Sequence, residues 1–86
     1  MSQKRLTISN DEGLQSRSAA LLVQVASKFT ANLWIEHGSK RVNAKSIMGV
    51  LSLKLRKGDS FIISATGSDE EDAVAAITRL IEKGEA

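Results

Sequence analysis

Apolar and polar positions alternate in several short segments of the chain, a pattern typical of strands with one buried face. The predicted strands are centred on Leu6–Ile8, Leu33–Glu36, Lys40–Val42 and Phe61–Ile63. Gly38-Ser39 separates the second and third of these segments, which predicts a hairpin between them. The chain therefore supplies four short amphipathic strands.

Three other segments have the three-and-four spacing of helices with one apolar stripe. The first predicted helix runs from Ser16 to Phe29, and the second is a short one that opens at the capping candidate Ser46. A third continues to Gly84 after the capping-box spacing of Ser68 and Glu71. The element order is thus β-α-β-β-α-β-α.

This order predicts an α+β fold in which residues 1–86 form a single domain. Alternation in every strand favours an antiparallel sheet, because strands buried on both faces would be continuously apolar. We expect a two-layer, open-faced sandwich with a four-stranded antiparallel sheet covered on one face by helices. Hydrophobic residues make up 42% of the chain, enough for one modest core.

Composition excludes several classes of function. The chain has no cysteine and one histidine, so we expect neither a disulfide nor a metal centre, and no motif indicates a cofactor. It has no apolar segment typical of a secretory signal or a membrane span, which favours a cytoplasmic protein.

Basic segments raise the alternative of nucleic-acid binding. They are Lys4-Arg5, Lys40-Arg41 and the run from Lys54 to Lys57. The 12 basic residues are nearly balanced by 10 acidic ones, and aromatic residues are only 3% of the chain, so a base-stacking platform is absent. We expect no direct nucleic-acid contact, and titration with DNA at low salt tests this.

The loop Gly13-Leu14-Gln15-Ser16-Arg17-Ser18-Ala19 precedes the first helix. Free N–H groups at a helix start, together with the Arg17 guanidinium, predict an anion site. An ordinary helix start, capped by Ser16 or Ser18 with Arg17 in solvent, explains the same residues. This loop alone leaves both interpretations open.

The segment Asn43-Ala44-Lys45-Ser46-Ile47-Met48-Gly49-Val50 is more informative. It places a hydroxyl at a helix start, a lysine beside it and bulky apolar side chains after it. Val50 and Leu53 can supply the buried face, so part of the set Ile47, Met48 and Leu51 is expected to be exposed. An exposed apolar patch is typical of a binding surface, and Ser46 fits a phosphorylation site.

These two motifs together resemble the HPr family of the bacterial phosphotransferase system, and the resemblance extends over essentially the whole chain. The family's active-site signature, Gly-Leu-His-Ala-Arg-Pro-Ala, matches Gly13 to Ala19, and its regulatory-serine signature matches Asn43 to Gly49. The first match departs in three places, where glutamine, serine and serine stand at positions 15, 16 and 18.

The first departure bears directly on chemistry. Histidine carries a phosphoryl group because a neutral ring nitrogen is a nucleophile, whereas the amide nitrogen of Gln15 delocalises its lone pair into the carbonyl. Gln15 therefore marks a lost phosphocarrier position. The only histidine, His37, lies at the predicted hairpin and is interpreted as a solvated turn residue.

A lost histidine with a retained serine resembles the regulatory, catabolite-repression branch of the family, which is not enzymatic. The resemblance implies that HPr kinase/phosphorylase phosphorylates Ser46. The product would then bind a catabolite control regulator of the lactose-repressor type as its corepressor. The partner surface implied by the resemblance consists of Arg17, Ala20, Leu21, Gln24, Ile47, Met48 and Leu51.

Two further possibilities stay open. The chain could be a phosphocarrier that lost its histidine. Replacing Gln15 with histidine and measuring phosphoryl transfer from phosphoenolpyruvate through enzyme I tests this. The serines at positions 16 and 18 are expected to alter the local geometry, because the proline that presets the helix start is missing. An unpaired sheet edge also permits a homodimer.

Overall fold

The computed structural model describes residues 1–86 and contains four strands and three helices in the predicted order. The strands are β1 (Ser2–Thr7), β2 (Asn32–His37), β3 (Lys40–Asn43) and β4 (Ser60–Thr66). The helices are α1 (Ser16–Ala26), α2 (Ile47–Ser52) and α3 (Glu70–Glu82). The predicted fold class is confirmed.

The strands form one antiparallel sheet in the order β1-β4-β2-β3. Cross-strand pairs place buried side chains opposite one another, with Leu6 facing Phe61 and Ile35 facing both Ile63 and Val42. Because side chains alternate along a strand, this register turns all these apolar residues towards the helices. The sheet is therefore open on its other face, as predicted.

A cluster of 22 buried apolar residues fills the space between sheet and helices. The helix stripes supply Ala19, Leu22 and Ala26 from α1, Val50 from α2, and Ala73, Val74, Ile77, Leu80 and Ile81 from α3. No helix has the length and apolar character needed to cross a membrane. One face of each helix is left for contacts with solvent or partners.

The first helix is shorter than predicted. It ends at Ala26, and Phe29 is half-buried beyond its C-terminus. The next amides make the tighter i to i−3 bonds, with the Phe29 N–H donating to the Ala26 carbonyl at 3.3 Å. The N–H groups of Thr30 and Ala31 then donate to the Asp69 carboxylate at 2.9 Å each, which directs the chain into β2.

The prediction of a capping box from Ser68 and Glu71 is wrong. Helix α3 begins one residue later than that prediction requires, with Asp69 at the N-cap position. The side chain of Asp69 accepts hydrogen bonds from the loop after α1, and the side chain of Glu70 accepts one from the Gly67 N–H at 3.1 Å. Tertiary contacts across the α1–β2 loop thus override the local capping pattern.

His37 is not a solvated turn residue. It is the last residue of β2, it is half-buried, and its Nδ1 lies 2.9 Å from the Ser60 carbonyl oxygen. The adjacent turn residues Gly38 and Ser39 are exposed. The strand continues one residue further than alternation indicated, because His37 still pairs with Lys40 of β3.

Candidate functional site

Gln15 stands at the N-cap position of α1, with its side chain exposed. Its backbone N–H donates to the Ser18 hydroxyl at 3.0 Å, and that hydroxyl donates in turn to the Gly13 carbonyl at 3.0 Å. The Ser18 side chain, which lies in the first turn of α1, therefore caps the N-terminus of the helix. The side chain of Ser16 makes no hydrogen bond, so of the two serines only Ser18 caps the helix.

Capping by Ser18 changes the predicted anion site. The N–H of Gln15 donates to the Ser18 hydroxyl, so it is not free to bind an anion. The next amides of the first turn have no acceptor within the helix, as at any helix N-terminus. Arg17 is exposed and makes no ion pair. It lines an open depression of about 720 Å³ together with Ser18, Leu21 and Glu85.

The loop before α1 is joined to the segment after α2. The Leu14 N–H donates to the Leu55 carbonyl at 2.9 Å. Gly13 makes this approach possible, since its φ is +75° and a Cβ there would stand 2.7 Å from the Leu55 oxygen. The two segments surround a depression of about 300 Å³ that is lined by both Gln15 and Leu51.

Two basic side chains that line this depression were not predicted as part of the site. Lys54 and Arg56 line the same depression as Gln15, and neither makes an ion pair. Lys54 follows the C-cap residue of α2 and has a φ of +52°, the left-handed conformation that commonly follows the last turn of a helix and that favours glycine. No periodicity marks these residues, because only the tertiary approach of Leu14 to Leu55 brings them to Gln15.

Ser46 is the N-cap of α2, as predicted. Its Oγ accepts from the Gly49 N–H at 3.2 Å, and its own N–H donates to the Asn43 carbonyl at 3.0 Å. The Asn43 side chain accepts from the Lys45 N–H at 2.8 Å, which fixes the turn before the helix. A Cβ at Gly49 would lie 3.3 Å from this Oγ, so glycine leaves space around the hydroxyl.

The lysine beside Ser46 does not face its hydroxyl. The Lys45 ammonium donates to the Phe29 carbonyl at 2.7 Å, just beyond the C-terminus of α1. The carbonyls at a helix C-terminus attract cations, and this contact places Lys45 between the two helices. A phosphate on Ser46 would therefore meet helix amides first, with Lys45 already engaged elsewhere.

The exposed face of α2 is apolar, as predicted. Ile47 is 40% exposed and Met48 is 75% exposed, whereas Val50 is fully buried and Leu53 is 5% exposed. Leu51 is half-buried against the core. A short helix at the surface thus shows two large apolar side chains directly after the N-cap serine.

Helix α1 packs beside α2 and extends this surface. Ala20 and Gln24 are exposed, and Leu21 is half-buried against the core. Leu51 lies five residues from Ser46, about 8 Å along a helix at 1.5 Å per residue. Leu51 also borders the depression at Gln15, so α2 lies next to both motifs. We use the name α1–α2 face for the predicted site residues on these two helices and at their N-caps: Gln15, Arg17, Ala20, Leu21, Gln24, Ser46, Ile47, Met48 and Leu51.

Charge is strongly segregated on the chain. Glu36 is the only acidic residue between Glu12 and Asp59, so neither α1 nor α2 contains a carboxylate. Four of the acidic residues are instead clustered between positions 69 and 72, at the start of α3. An added phosphate on Ser46 meets no negative charge from its own helix or from α1.

The basic segments do not form one stripe. Lys4 and Arg5 lie on β1 and Arg41 on β3, at opposite edges of the sheet. Arg41 stacks over Trp34 at 4.6 Å from the ring centroid, and Lys57 pairs with Asp11 at 2.6 Å. This dispersal gives no track for a phosphate backbone.

A sequence model of the family described as "PTS HPr component phosphorylation site" matches residues 2–83. The chain belongs to the HPr family. The HPr-like protein Crh of Halalkalibacterium halodurans is 43% identical over 83 residues, covering 96% of this chain and 99% of that protein.

Solved structures extend the likeness to three dimensions. The crystal structure of HPr-C-His from Thermoanaerobacter tengcongensis matches with a TM-score of 0.95 and 48% identity, covering 98% of this chain and 94% of that one. Crh of Bacillus subtilis, described as a catabolite repression protein and an intertwined dimer with domain swapping, matches with a TM-score of 0.78 and 38% identity. That match covers 98% of this chain and 97% of the Crh chain.

Overall likeness does not separate the two kinds of relative, since both are matched over nearly the whole chain. The residue at position 15 does separate two chemistries. A glutamine amide cannot carry the phosphoryl group that a histidine ring nitrogen carries. The chain therefore has a serine at the start of α2 and no histidine nucleophile at position 15.

Proposed function

We propose that this HPr-family protein is a non-enzymatic, cytoplasmic phosphoprotein of carbon catabolite repression, acting as a single domain over residues 1–86. HPr kinase/phosphorylase phosphorylates Ser46, and the product binds a lactose-repressor-type catabolite control regulator as its corepressor. The observation that carries the proposal is one helix start: the Ser46 hydroxyl at the N-cap of α2, followed by exposed Ile47 and Met48.

A phosphate on Ser46 suits the position physically. It adds a charge of about −1.5 to −2 at pH 7 and stands at the positive end of α2, where an anion is favoured by about 0.3–1 kcal/mol. No carboxylate of α1 or α2 opposes it. Phosphorylation therefore leaves α2 folded, and the modification acts through binding.

Binding on this proposal has two parts. The phosphate makes charge-assisted hydrogen bonds with basic groups of the regulator, and the exposed apolar side chains of Ile47 and Met48 become buried. Because the Lys45 ammonium is engaged at the Phe29 carbonyl, the phosphate is left for cations of the partner. Neither part suffices alone, so the unmodified protein binds weakly.

The first experiment measures the intact mass of the protein after incubation with ATP and HPr kinase/phosphorylase. We expect one added phosphoryl group in the wild type and none in Ser46→Ala. Ser52→Ala is the matched control, since Ser52 is an exposed serine of the same helix whose hydroxyl donates to the Gly49 carbonyl at 2.6 Å. Modification that persists in Ser46→Ala contradicts the proposal, as does no modification while authentic HPr is modified in parallel.

The second experiment measures binding to the regulator. We expect the phosphorylated protein to bind at least tenfold more tightly than the unmodified one, because charge-assisted hydrogen bonds contribute about 1.5–3 kcal/mol each. Phosphorylated Ile47→Ala tests the apolar part, and we expect it to lose roughly tenfold in affinity. Equal affinity of phosphorylated and unmodified protein overturns the corepressor role.

A second candidate function is that of an altered phosphocarrier, favoured by the 48% identity to an HPr structure. Replacing Gln15 with histidine tests it through phosphoryl transfer from phosphoenolpyruvate by enzyme I. We expect poor transfer, because the hydroxyl of Ser18 holds the N–H of residue 15 where the family has proline. Efficient transfer in Gln15→His would favour the phosphocarrier reading.

We also propose that the chain can form a homodimer, on the likeness to the dimeric Bacillus subtilis Crh. The sheet has two open edges, β1 and β3, which can pair with a second chain. Light scattering across a concentration series measures this directly. A molar mass of one chain, 9.3 kDa, at every concentration contradicts the proposal.

A further inference from the structure

The sulfur chemistry of this protein is concentrated in two side chains. It has no cysteine and only two methionines, Met1 and Met48, and each of these is 75% exposed. Met1 begins the chain next to β1, and its amino group pairs with Glu70 at 2.9 Å. Met48 lies in α2, two residues after Ser46. Only Met48 belongs to the α1–α2 face.

We propose that Met48 is a modification site at which a hydroperoxide, by forming methionine sulfoxide, switches off binding of the phosphorylated protein to its regulator. This inference rests on the proposed function. It concerns a thioether that the fold does not use, since Met48 contributes nothing to the buried core. The side chain is thus free to react without unfolding the protein.

The reaction is a two-electron oxygen transfer. A lone pair of the Met48 sulfur attacks one peroxide oxygen, the S–O bond forms and the O–O bond breaks. The thioether is oxidised to a sulfoxide, and the hydroperoxide is reduced to the alcohol, or to water when hydrogen peroxide is the oxidant. The proton of the peroxide moves to the leaving oxygen, so no further reactant is needed.

The product is poorly suited to an apolar interface. A sulfoxide is polar, and its oxygen must find a hydrogen-bond donor when the surface is covered. Ile47 beside Met48 offers only an apolar side chain, and Leu51 one turn away is also apolar.

The test compares the phosphorylated wild type with phosphorylated Met48→Leu, each before and after treatment with hydrogen peroxide. Leucine is close to methionine in volume and cannot be oxidised. Intact mass gives the number of oxygens added, two for the wild type and one for Met48→Leu, because Met1 remains reactive in both. Met1 is therefore an internal control for the treatment itself.

We expect oxidation to weaken binding of the wild type to the regulator roughly tenfold, the scale set by burying an uncompensated polar group. Binding of Met48→Leu is unchanged by peroxide, and methionine sulfoxide reductase restores the wild type. Thermal unfolding measured in parallel is the same before and after oxidation, which separates lost binding from lost structure.

Three results overturn the inference: Met48 resists peroxide while Met1 is oxidised, the oxidised wild type binds as before, or Met48→Leu loses affinity on treatment. Failure of the proposed function has a different signature. In that case the untreated phosphorylated protein does not bind the regulator at all, although the mass still reports whether Met48 reacts.

Discussion

Replacing Ser18 with alanine tests how the first turn of α1 is held without the family's proline. The Ser18 hydroxyl accepts from the Gln15 N–H and donates to the Gly13 carbonyl, both at 3.0 Å. Removing such a capping side chain costs about 0.5–2 kcal/mol, typically near 1. The better helix propensity of alanine offsets up to about 0.7 kcal/mol of this loss.

Ser16→Ala is the matched control, because Ser16 is an exposed serine of the same turn whose side chain makes no hydrogen bond. It reports the propensity gain alone. We therefore expect Ser18→Ala to be less stable than Ser16→Ala by about 1 kcal/mol. In a domain of this size that difference lowers the midpoint of thermal unfolding by about 4–8 °C.

Urea unfolding followed by circular dichroism measures this difference. We expect a lower midpoint concentration for Ser18→Ala with an unchanged slope, because the surface exposed on unfolding stays the same. Equal midpoints for the two variants would refute the assignment of Ser18 as the cap. The result also bears on the anion site, since the same variant releases the Gln15 N–H.

Three further predictions concern stability. The pKa of Asp69 is lowered first of all by its hydrogen bond from the Thr30 N–H, with the Ala31 N–H adding to the effect. The stability that the ionised Asp69 carboxylate contributes is fully present above its unfolded-state pKa and is lost as the pH falls through its lower folded-state pKa. Asp69→Asn is thus expected to lower the urea midpoint at pH 7 and to flatten its decline in acid. Lys54→Gly relieves a positive φ of 52° and is expected to raise stability by roughly 1 kcal/mol, whereas a lower urea midpoint would contradict the strain. Ser64→Ala removes a buried hydroxyl that has no hydrogen-bond partner, so we expect a gain of about 1 kcal/mol in calorimetry, and a clear loss would indicate an unseen partner for that hydroxyl.

Much of the fold follows from local patterns. Alternation in the strands and the apolar stripes of the helices are direct consequences of side-chain periodicity, and they gave the element order and the buried face of α3. The N-cap role of Ser46 was predictable for the same reason, because its hydroxyl bonds to an amide only three residues away. Interactions between residues this close along the chain can be predicted from a short stretch of sequence.

The errors lie where distant segments meet. The end of α1 and the start of α3 were misplaced because the Asp69 carboxylate binds amides of Thr30 and Ala31, 39 and 38 residues away along the chain. The prediction of a solvated turn at His37 is wrong because its partner, the Ser60 carbonyl, belongs to another strand. Lys54 and Arg56 were not predicted as neighbours of Gln15, because only the folded chain brings them to the same depression.

The two motifs of the α1–α2 face are supported by separate sets of contacts. Around Gln15 the backbone is held by Ser18 and by the bond from Leu14 to Leu55, whereas Ser46 is held by Asn43 and Gly49. No hydrogen bond joins one set to the other. A change from histidine to glutamine at position 15 therefore removes one chemistry without disturbing the serine turn. This independence supports the proposed function, in which the chain uses the serine turn and the α1–α2 face without a phosphocarrier at position 15.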